Sequence, residues 1–391
     1  MDMLSFQHIT PPLRLFHGPD ALGQLGRELD RVKSTRAVIF CGRSLVREGR
    51  LLQKVKSAIG ERYAATYSDV RAHSPVPSVQ RAVELLKQLR ADAAIAIGGG
   101  SAIVTARAAS ILAAENRDLH ELCTTQDGKG GLNSPRLMAP KLPQFVIPTT
   151  PTTAAVKAGS AVFDPEQGER LALFDPKTRA QAIFLDPEML LSAPRGLVSS
   201  AGLNTFATAM EGLMSRQGNP LSDALLMHSV RLLGRRLPRL DQEDDAGVRG
   251  ELALAAVLCG QGTDHTGAGI TTVLGHAIGA RHEMENGIAN AIVLPHVLRF
   301  NAEASAAGIA KVAAALGLPD ADETSSLAAV MQAVQAIFDG LEIPRRLRDV
   351  GVPAQALPAI ADSGMGDWFL RGNPRPVRDA RELHELLEQA W

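Results

Sequence analysis

The chain changes texture part-way along. Through its first half, short apolar runs alternate with helical patterns. "RAVIFCG" (36–42), "DAAIAIGGGS" (92–101), "QFVIPTT" (144–150) and "QAIFLDP" (181–187) read as strands, and "SVQRAVELLKQLRA" (78–91) carries its apolar residues at helical spacing. Strands separated by helices predict a parallel sheet covered on both faces. Beyond about Asp186 strand-like runs almost vanish and long helical patterns follow, among them "GLVSSAGLNTFATAMEGLMS", "PLSDALLMHSVRLLGRRLPRL", "VRGELALAAVLCGQG" and "GIANAIVLPHVLRFNAEASAAGIAKVAAALG". The pattern therefore predicts a Rossmann-like α/β domain over residues 1–188 and an all-α domain over 189–391, with "DPEMLLSAP" (186–194) as the joint. The acidic "DQEDDAG" (241–247) reads as a solvated loop between helices.

Composition narrows the class. A chain of 391 residues is long for one compact core, which agrees with two domains. Apolar residues at 45% and charged residues at 21% are globular proportions. Forty-one basic against forty-two acidic residues leave a formal charge of -1, which argues against an electrostatic grip on nucleic acid or an anionic membrane. Cys41, Cys123 and Cys259 are far apart with no CxxC pair, so neither a disulfide framework nor a cysteine zinc site is expected, and a reducing cytoplasm fits. The opening "MDMLSFQHITPPLRLF" lacks the pattern of a secretory leader, and no run of eighteen apolar residues occurs, so no membrane span is expected.

Two turns carry candidate chemistry. In "AIAIGGGSAI" Gly98, Gly99, Gly100 and Ser101 stand where a strand hands over to a helix; glycines let backbone approach a phosphate, and the helix amino end offers N–H groups and a positive dipole end. Such a turn is also an ordinary strand-to-helix connection. "IPTTPTT" (147–153) adds Thr149, Thr150 and Thr153 after another strand, where hydroxyls can bond a ribose or a nicotinamide amide, or simply cap a turn. Together, at the carboxyl ends of parallel strands, the two favour a dinucleotide.

The order of motifs resembles the iron-containing alcohol dehydrogenase superfamily: "FHGPDALGQLG", "AIGGGSAI", "VIPTT", "LDPEMLLSAP", "AGLNTFATAME", "LGHAIGA" and "IVLPHVLRFNA". The closing "LEIPRRLRDVGVPAQALPAIADSGMGD" with "NPRP" (373–376) is similar to its maleylacetate reductase branch. The resemblance spans nearly the whole chain. It implies an amino-terminal domain binding NADPH or NADH, a helical carboxyl-terminal domain, a cleft where hydride passes to or from a carbonyl carbon, a small-molecule substrate, and a homodimer.

The departures are concentrated at the metal. The resemblance implies an aspartate and a histidine one helical turn apart, then two histidines within "GITTVLGHAIGARHEMENG" (269–287); this chain has Asn204, Thr208, Thr272 and Asn286 there. Without a carboxylate or an imidazole a transition metal has little to hold it, so no metal is expected. Asn204 matches a metal-independent reductase branch, whereas that branch generally keeps the histidines replaced here by Thr208 and Thr272. His276 matches a family histidine near the nicotinamide and substrate oxygen, and is expected to donate a proton or orient substrate. His282 and Glu283 match no family residue, Glu285 only precedes a lost ligand, and a rebuilt metal site from Asp264, His265, His276 and His282 stays open, as does an acid/base role for Asp264 with His265.

On the cofactor side, Val104 and Arg107 replace an aspartate and a lysine of the pattern. At the first strand's end, Gly42 and Arg43 stand where an acid commonly takes the adenosine ribose hydroxyls; a cation there admits a 2′-phosphate. Lys157, where relatives carry glutamate or threonine nearby, either binds a carboxylate substrate or replaces some of the charge the metal supplied, or else points to solvent. The reading is a metal-free NAD(P)H-dependent reductase of a small polar or carboxylated carbonyl compound. Its rivals are a lyase, isomerase, cyclase or binding protein on the same fold, and a metal-dependent alcohol dehydrogenase with substituted ligands.

Overall fold

A computed structural model describes residues 5–126, 132–282, 284–319 and 323–391. They form two compact units: Pro11–Ala193, and Pro194–Trp391 together with the described residues before Pro11.

The first unit is built on six parallel strands, β1 (Leu15–His17), β2 (Ala37–Phe40), β3 (Tyr63–Tyr67), β4 (Ala93–Gly98), β5 (Gln144–Pro148) and β6 (Ala180–Leu185), in the order β1-β6-β5-β4-β2-β3. The central strands are apolar on both faces, as a sheet covered on both sides requires: every residue of β2 and β5 is buried. Ile39, Ile95, Ile97, Phe145, Ile147 and Phe184 make the core of one face. The in-register pairs Phe40↔Ala96 and Gly98↔Pro148 bring the carboxyl ends of β2, β4 and β5 side by side. Helices α1 (Arg43–Glu48), α2 (Val76–Leu89) and α3 (Gly100–Glu115) belong to this unit. Edge strands β1 and β3 were not marked by the apolar pattern, nor was an antiparallel hairpin pairing Gly159–Asp164 with Glu169–Phe174. That hairpin buries alternate residues and turns at Gly168, where φ is +67°.

The second unit is helical: α4 (Arg195–Met214), α5 (Pro220–Arg236), α6 (Ala246–Thr266), α7 (Ile270–His282), α8 (Asn286–Asn301), α9 (Ala306–Leu316), α10 (Glu323–Gly340), α11 (Leu357–Met365) and α12 (Ala380–Ala390). The long pattern from Gly287 onward is not one helix; a short turn at Glu303–Ser305 divides α8 from α9. The acidic loop before α6 ends as a cap: Asp245 accepts from the Val248 N–H at 2.8 Å and Asp244 pairs with Arg249. Ile270, Leu274, Ile278, Val293, Ile360 and Leu386 centre one core of this unit.

Among the described residues no helix is long and apolar enough to cross a membrane. All three cysteines are buried thiols, and burial pushes Cys41 and Cys123 up to about 11.

Candidate active site

The glycine turn follows from β4. Gly98 takes φ +142°, which only glycine adopts without strain, and a Cβ on Gly99 would sit 3.0 Å from Thr150 Oγ1. Thr149 N donates to Gly98 O at 3.1 Å, so the two turns lie against one another. Thr150 is buried against Gly99; Thr153 opens the turn Thr153–Ala155. Helix α3 starts at Gly100 with Ser101 second, and its cap position is Gly99, which has no side chain to bond the first-turn N–H groups. Ser101 is fixed through its carbonyl oxygen, which accepts from Ser74 Oγ at 3.1 Å.

The loop after the threonines is held by cations and a hydroxyl. Arg107, on the buried face of α3, donates to the carbonyl oxygens of Ala154 and Gly159, each at 2.7 Å. Arg179 donates to Val156 O at 2.6 Å and Thr178 to Ala158 O at 3.3 Å. Lys157, half-buried, is therefore carried on a braced loop rather than a loose one. The substituted Arg107 has become that brace.

Gly42 caps α1 and Arg43 is its first residue. Arg43 pairs with Asp69 Oδ1 at 3.0 Å, and Arg71 and Arg81 bond the same carboxylate. Burial works to raise Asp69, but hydrogen bonds and charge from Arg81 and Arg71 outweigh it and hold the carboxyl below its ordinary value. Three guanidiniums around one carboxylate leave an excess of positive charge just beyond β2 and β3.

In the helical unit the four positions of the implied metal set form one hydrogen-bonded cluster. Thr208 donates to Asn204 O at 2.8 Å, one turn back on α4, and its hydroxyl lies 3.5 Å from that of Thr272. Asn290 on α8 links the remainder: it meets the Asn204 amide at 2.9 Å and, with its amide turned so that the nitrogen faces them, donates to the carbonyl oxygens of Thr271 and Asn286 at 2.9 and 3.2 Å. Gly275 and Gly279 leave the room in which these two asparagines lie, since a Cβ on either would strike Asn290 or Asn286. The Asn286 Oδ1 is buried and without a hydrogen-bond partner.

Beneath this cluster lies Glu211, two turns from Asn204 on the same face of α4. Its carboxylate accepts from the N–H groups of Thr271 (2.5 Å) and Thr272 (3.2 Å) and from the Thr272 hydroxyl (2.7 Å), closing the amino end of α7. Burial pushes the carboxyl above its ordinary value, opposed by the bonds from Thr272 and the Gly269 N–H. One turn beyond Thr272, His276 Nδ1 meets Asp367 Oδ2 at 2.9 Å, with both side chains nearly buried. The Phe369 ring lies tilted against the imidazole, 5.8 Å between centroids.

The other candidates scatter. His265 stacks on His8 at 3.8 Å and bonds Ile9 O, so it serves the amino-terminal segment. Among the described residues no three His, Cys, Asp or Glu side chains gather as a metal site. Burial, then Arg281, lowers His282, whose Nε2 is buried without a partner. Glu285 is exposed at the start of α8, and Glu283 lies outside the described residues. Glu211, Asn290, Asp367 and the Asp69 cluster escaped the sequence reading. A carboxylate at 211 on the inner face of an apolar helix was a usable signal; Asp367 gave none.

Comparison with known proteins places the chain in a family. The family model described as iron-containing alcohol dehydrogenase matches residues 12–187, and that for the Fe-containing alcohol dehydrogenase family, C-terminal, matches 198–391. Lactaldehyde reductase of Escherichia coli (strain K12) is 30% identical over 384 residues, 96% of this chain and 97% of the relative. The chain belongs to the iron-containing alcohol dehydrogenase family. A maleylacetate reductase from Sphingobium indicum is 27% identical over 393 residues, 99% of this chain and 97% of that one. The fold is that of the crystal structure of 1,3-propanediol oxidoreductase: TM-score 0.91 at 22% identity, covering 99% of this chain and 100% of that one. This member of the iron-containing alcohol dehydrogenase family is thus an oxidoreductase of the alcohol and aldehyde dehydrogenase type.

The family's metal can be tested against the residues in place. A ferrous or zinc ion wants imidazole, thiolate or carboxylate donors. Asn204, Thr208, Thr272 and Asn286 offer neutral oxygen or amide groups; the Thr208 and Thr272 hydroxyl protons already go to Asn204 O and Glu211, and Glu211 faces backbone N–H groups. The donor set does not fit such an ion.

Proposed function

We propose that this chain is an NAD(P)H-dependent reductase acting, without a bound metal, on a small polar or carboxylated carbonyl compound. What carries the reading is that one chain holds both an uncapped α3 amino end behind Gly98–Gly100 and, in its helical unit, a His276–Asp367 couple beside a neutral polar cluster. Gly98, Gly99, Gly100 and Ser101 would hold the pyrophosphate, and Thr149, Thr150 and Thr153 the nicotinamide half. When bound, the dihydronicotinamide supplies the hydride.

The chain's own residues supply the rest. Imidazolium at His276 would give a proton to the carbonyl oxygen as that oxygen gains negative charge, and recover it from solvent. Asn286, through its unpartnered Oδ1, would accept from a substrate hydroxyl; Asn204, Thr208 and Thr272 would complete the polar wall where relatives carry a metal. Lys157, on its braced loop, is a candidate partner for a substrate carboxylate. The excess of arginine around Asp69, beginning with Arg43, favours NADPH over NADH. A homodimer belongs to the same proposal.

The test is titration of purified protein with NADPH and NADH, then turnover of short hydroxyaldehydes and oxo acids followed at the nicotinamide absorbance band, with metal content measured on the same preparation. Stoichiometric cofactor oxidation by chelator-treated protein is the expected result. Failure to bind either dinucleotide sinks the redox reading, and near-stoichiometric iron or zinc whose removal abolishes activity sinks the metal-free one.

A further inference from the structure

The segment Asp367–Asn373 is tied to α7 at both ends. At one end Asp367 Oδ2 meets His276 Nδ1 at 2.9 Å while Oδ1 accepts from the Phe369 N–H at 3.0 Å, so one carboxylate both caps the turn Trp368–Gly372 and touches the imidazole. At the other end Asn373 accepts from the Ile270 N–H at 3.4 Å and exchanges amide bonds with Asn301, at 2.8 and 2.9 Å. Gly372 lies so close to the Ala268 carbonyl that a Cβ would not fit. Between the ties, Phe369 packs on His276 and Trp368 on Phe369. The segment is a strap laid along the helix that carries His276.

The rest of the surroundings of α7 show what the strap adds. Helix α8 presents the neutral amides of Asn286 and Asn290 to Gly279 and Gly275. Helix α11 presents Gly364 to Val273 and Leu274, beside apolar Ile360 and Ala361. Helix α4 presents Glu211, whose carboxylate is turned to the first-turn N–H groups. The ionisable residues of α7 besides His276 are Arg281 and His282 in its last turn. Among the described residues, the carboxylate that meets the imidazole at 2.9 Å is the strap's Asp367.

We infer that Asp367 is the positioning residue for His276, holding the proton of the neutral ring on Nδ1 so that Nε2 exchanges protons with substrate. This rests on the proposed reductase reading. In the reductive direction the Nε2–H bond breaks as an O–H bond forms on the substrate oxygen. The ring falls from imidazolium to imidazole, keeps Nδ1–H on Asp367, and regains its proton from water. A carboxylate partner stabilises the imidazolium and fixes the tautomer, the two tasks an acid on the far side of a catalytic histidine performs.

Asp367→Asn separates this from a merely structural role, because asparagine caps a helical turn as well as aspartate does; Asp367→Ser is a second neutral cap in case asparagine perturbs the fold. The expected result is a kcat lowered about 100-fold or more, with dinucleotide affinity and thermal midpoint near those of the parent. The basic limb of the reductive pH profile moves to lower pH, since removing the negative charge weakens the imidazolium. Nitrogen-15 histidine spectra of the intact protein show His276 as the Nδ1–H tautomer in the parent and lose that signature in both variants. If kcat, the limb and the tautomer are unchanged while His276→Ala is inactive, Asp367 only caps the strap and the inference falls. If His276→Ala is fully active, the reductase role given to His276 falls instead, and the spectra still decide whether Asp367 sets the tautomer.

Discussion

Two helix amino ends, one in each unit, treat the same physical problem in opposite ways. Helix α3 begins on glycine, and its cap residue Gly99 has no side chain to bond its first-turn N–H groups. Helix α7 begins on Glu211 and Asn373, which between them take the N–H groups of Ile270, Thr271 and Thr272. An uncapped amino end is an anion site in waiting; a capped one is structure. Under the proposed function, strand-to-helix glycines leave backbone N–H groups open to a ligand, whereas the polar cluster at Asn204, Thr208 and Thr272 is made of side chains that satisfy one another. An open and a closed helix end can sit in one chain because they depend on different things, steric room in one case and the side chains within reach in the other.

The comparison can be broken most sharply at α3. Gly99→Val adds a branched side chain at a position where even a Cβ would stand 3.0 Å from Thr150 Oγ1, and it would cover the helix end. Dinucleotide affinity measured by calorimetry should fall about 30-fold or more, roughly 2 kcal/mol. Unchanged affinity would remove α3 from the binding site.

At α7 the expected effect is on stability and its pH dependence. Glu211→Gln replaces one acceptor oxygen with an N–H₂ facing N–H donors, which should cost about 1–3 kcal/mol and lower the thermal midpoint by a few degrees. Because burial raises the folded-state carboxyl above the 4.5 it has when unfolded, its contribution is fully present below that value and is lost as pH rises through the folded one. Midpoints measured across pH should show the parent losing stability relative to Glu211→Gln over that window. Parallel curves would mean that Glu211 does not titrate differently on folding.

A smaller effect tests the cofactor preference. Arg43 is largely exposed, so Arg43→Ala should weaken NADPH by up to about tenfold, near 1.4 kcal/mol, and leave NADH within twofold. Equal losses for both would assign the arginines around Asp69 to the surface rather than to a 2′-phosphate.

Much of the fold was legible because it rests on local rules. The apolar runs at β2, β4, β5 and β6 and the helical spacing of α2 were readable from periodicity alone. The edge strand β1, three residues long and only partly buried, and the hairpin at 159–174 were not, because neither makes a continuous apolar run. In the candidate site the glycine and threonine turns were legible, and Thr272 and His276 could be singled out as candidates. Their partners were not, because Glu211 reaches Thr272 across 61 positions and Asp367 reaches His276 across 91.

Sequence alone determined which backbone could bend and which donors were available: three glycines before a helix, and no aspartate or histidine at 204, 208, 272 or 286. Both are properties of residue type. Only the tertiary structure decided which groups are already engaged. Thr272 could be counted as an open hydroxyl until folding placed it on Glu211, and His276 as a lone histidine until the strap brought Asp367 to its ring. A hydrogen bond depends on approach to within about 3 Å, and for residues so far apart in the chain that approach is set by helix packing rather than by local propensity.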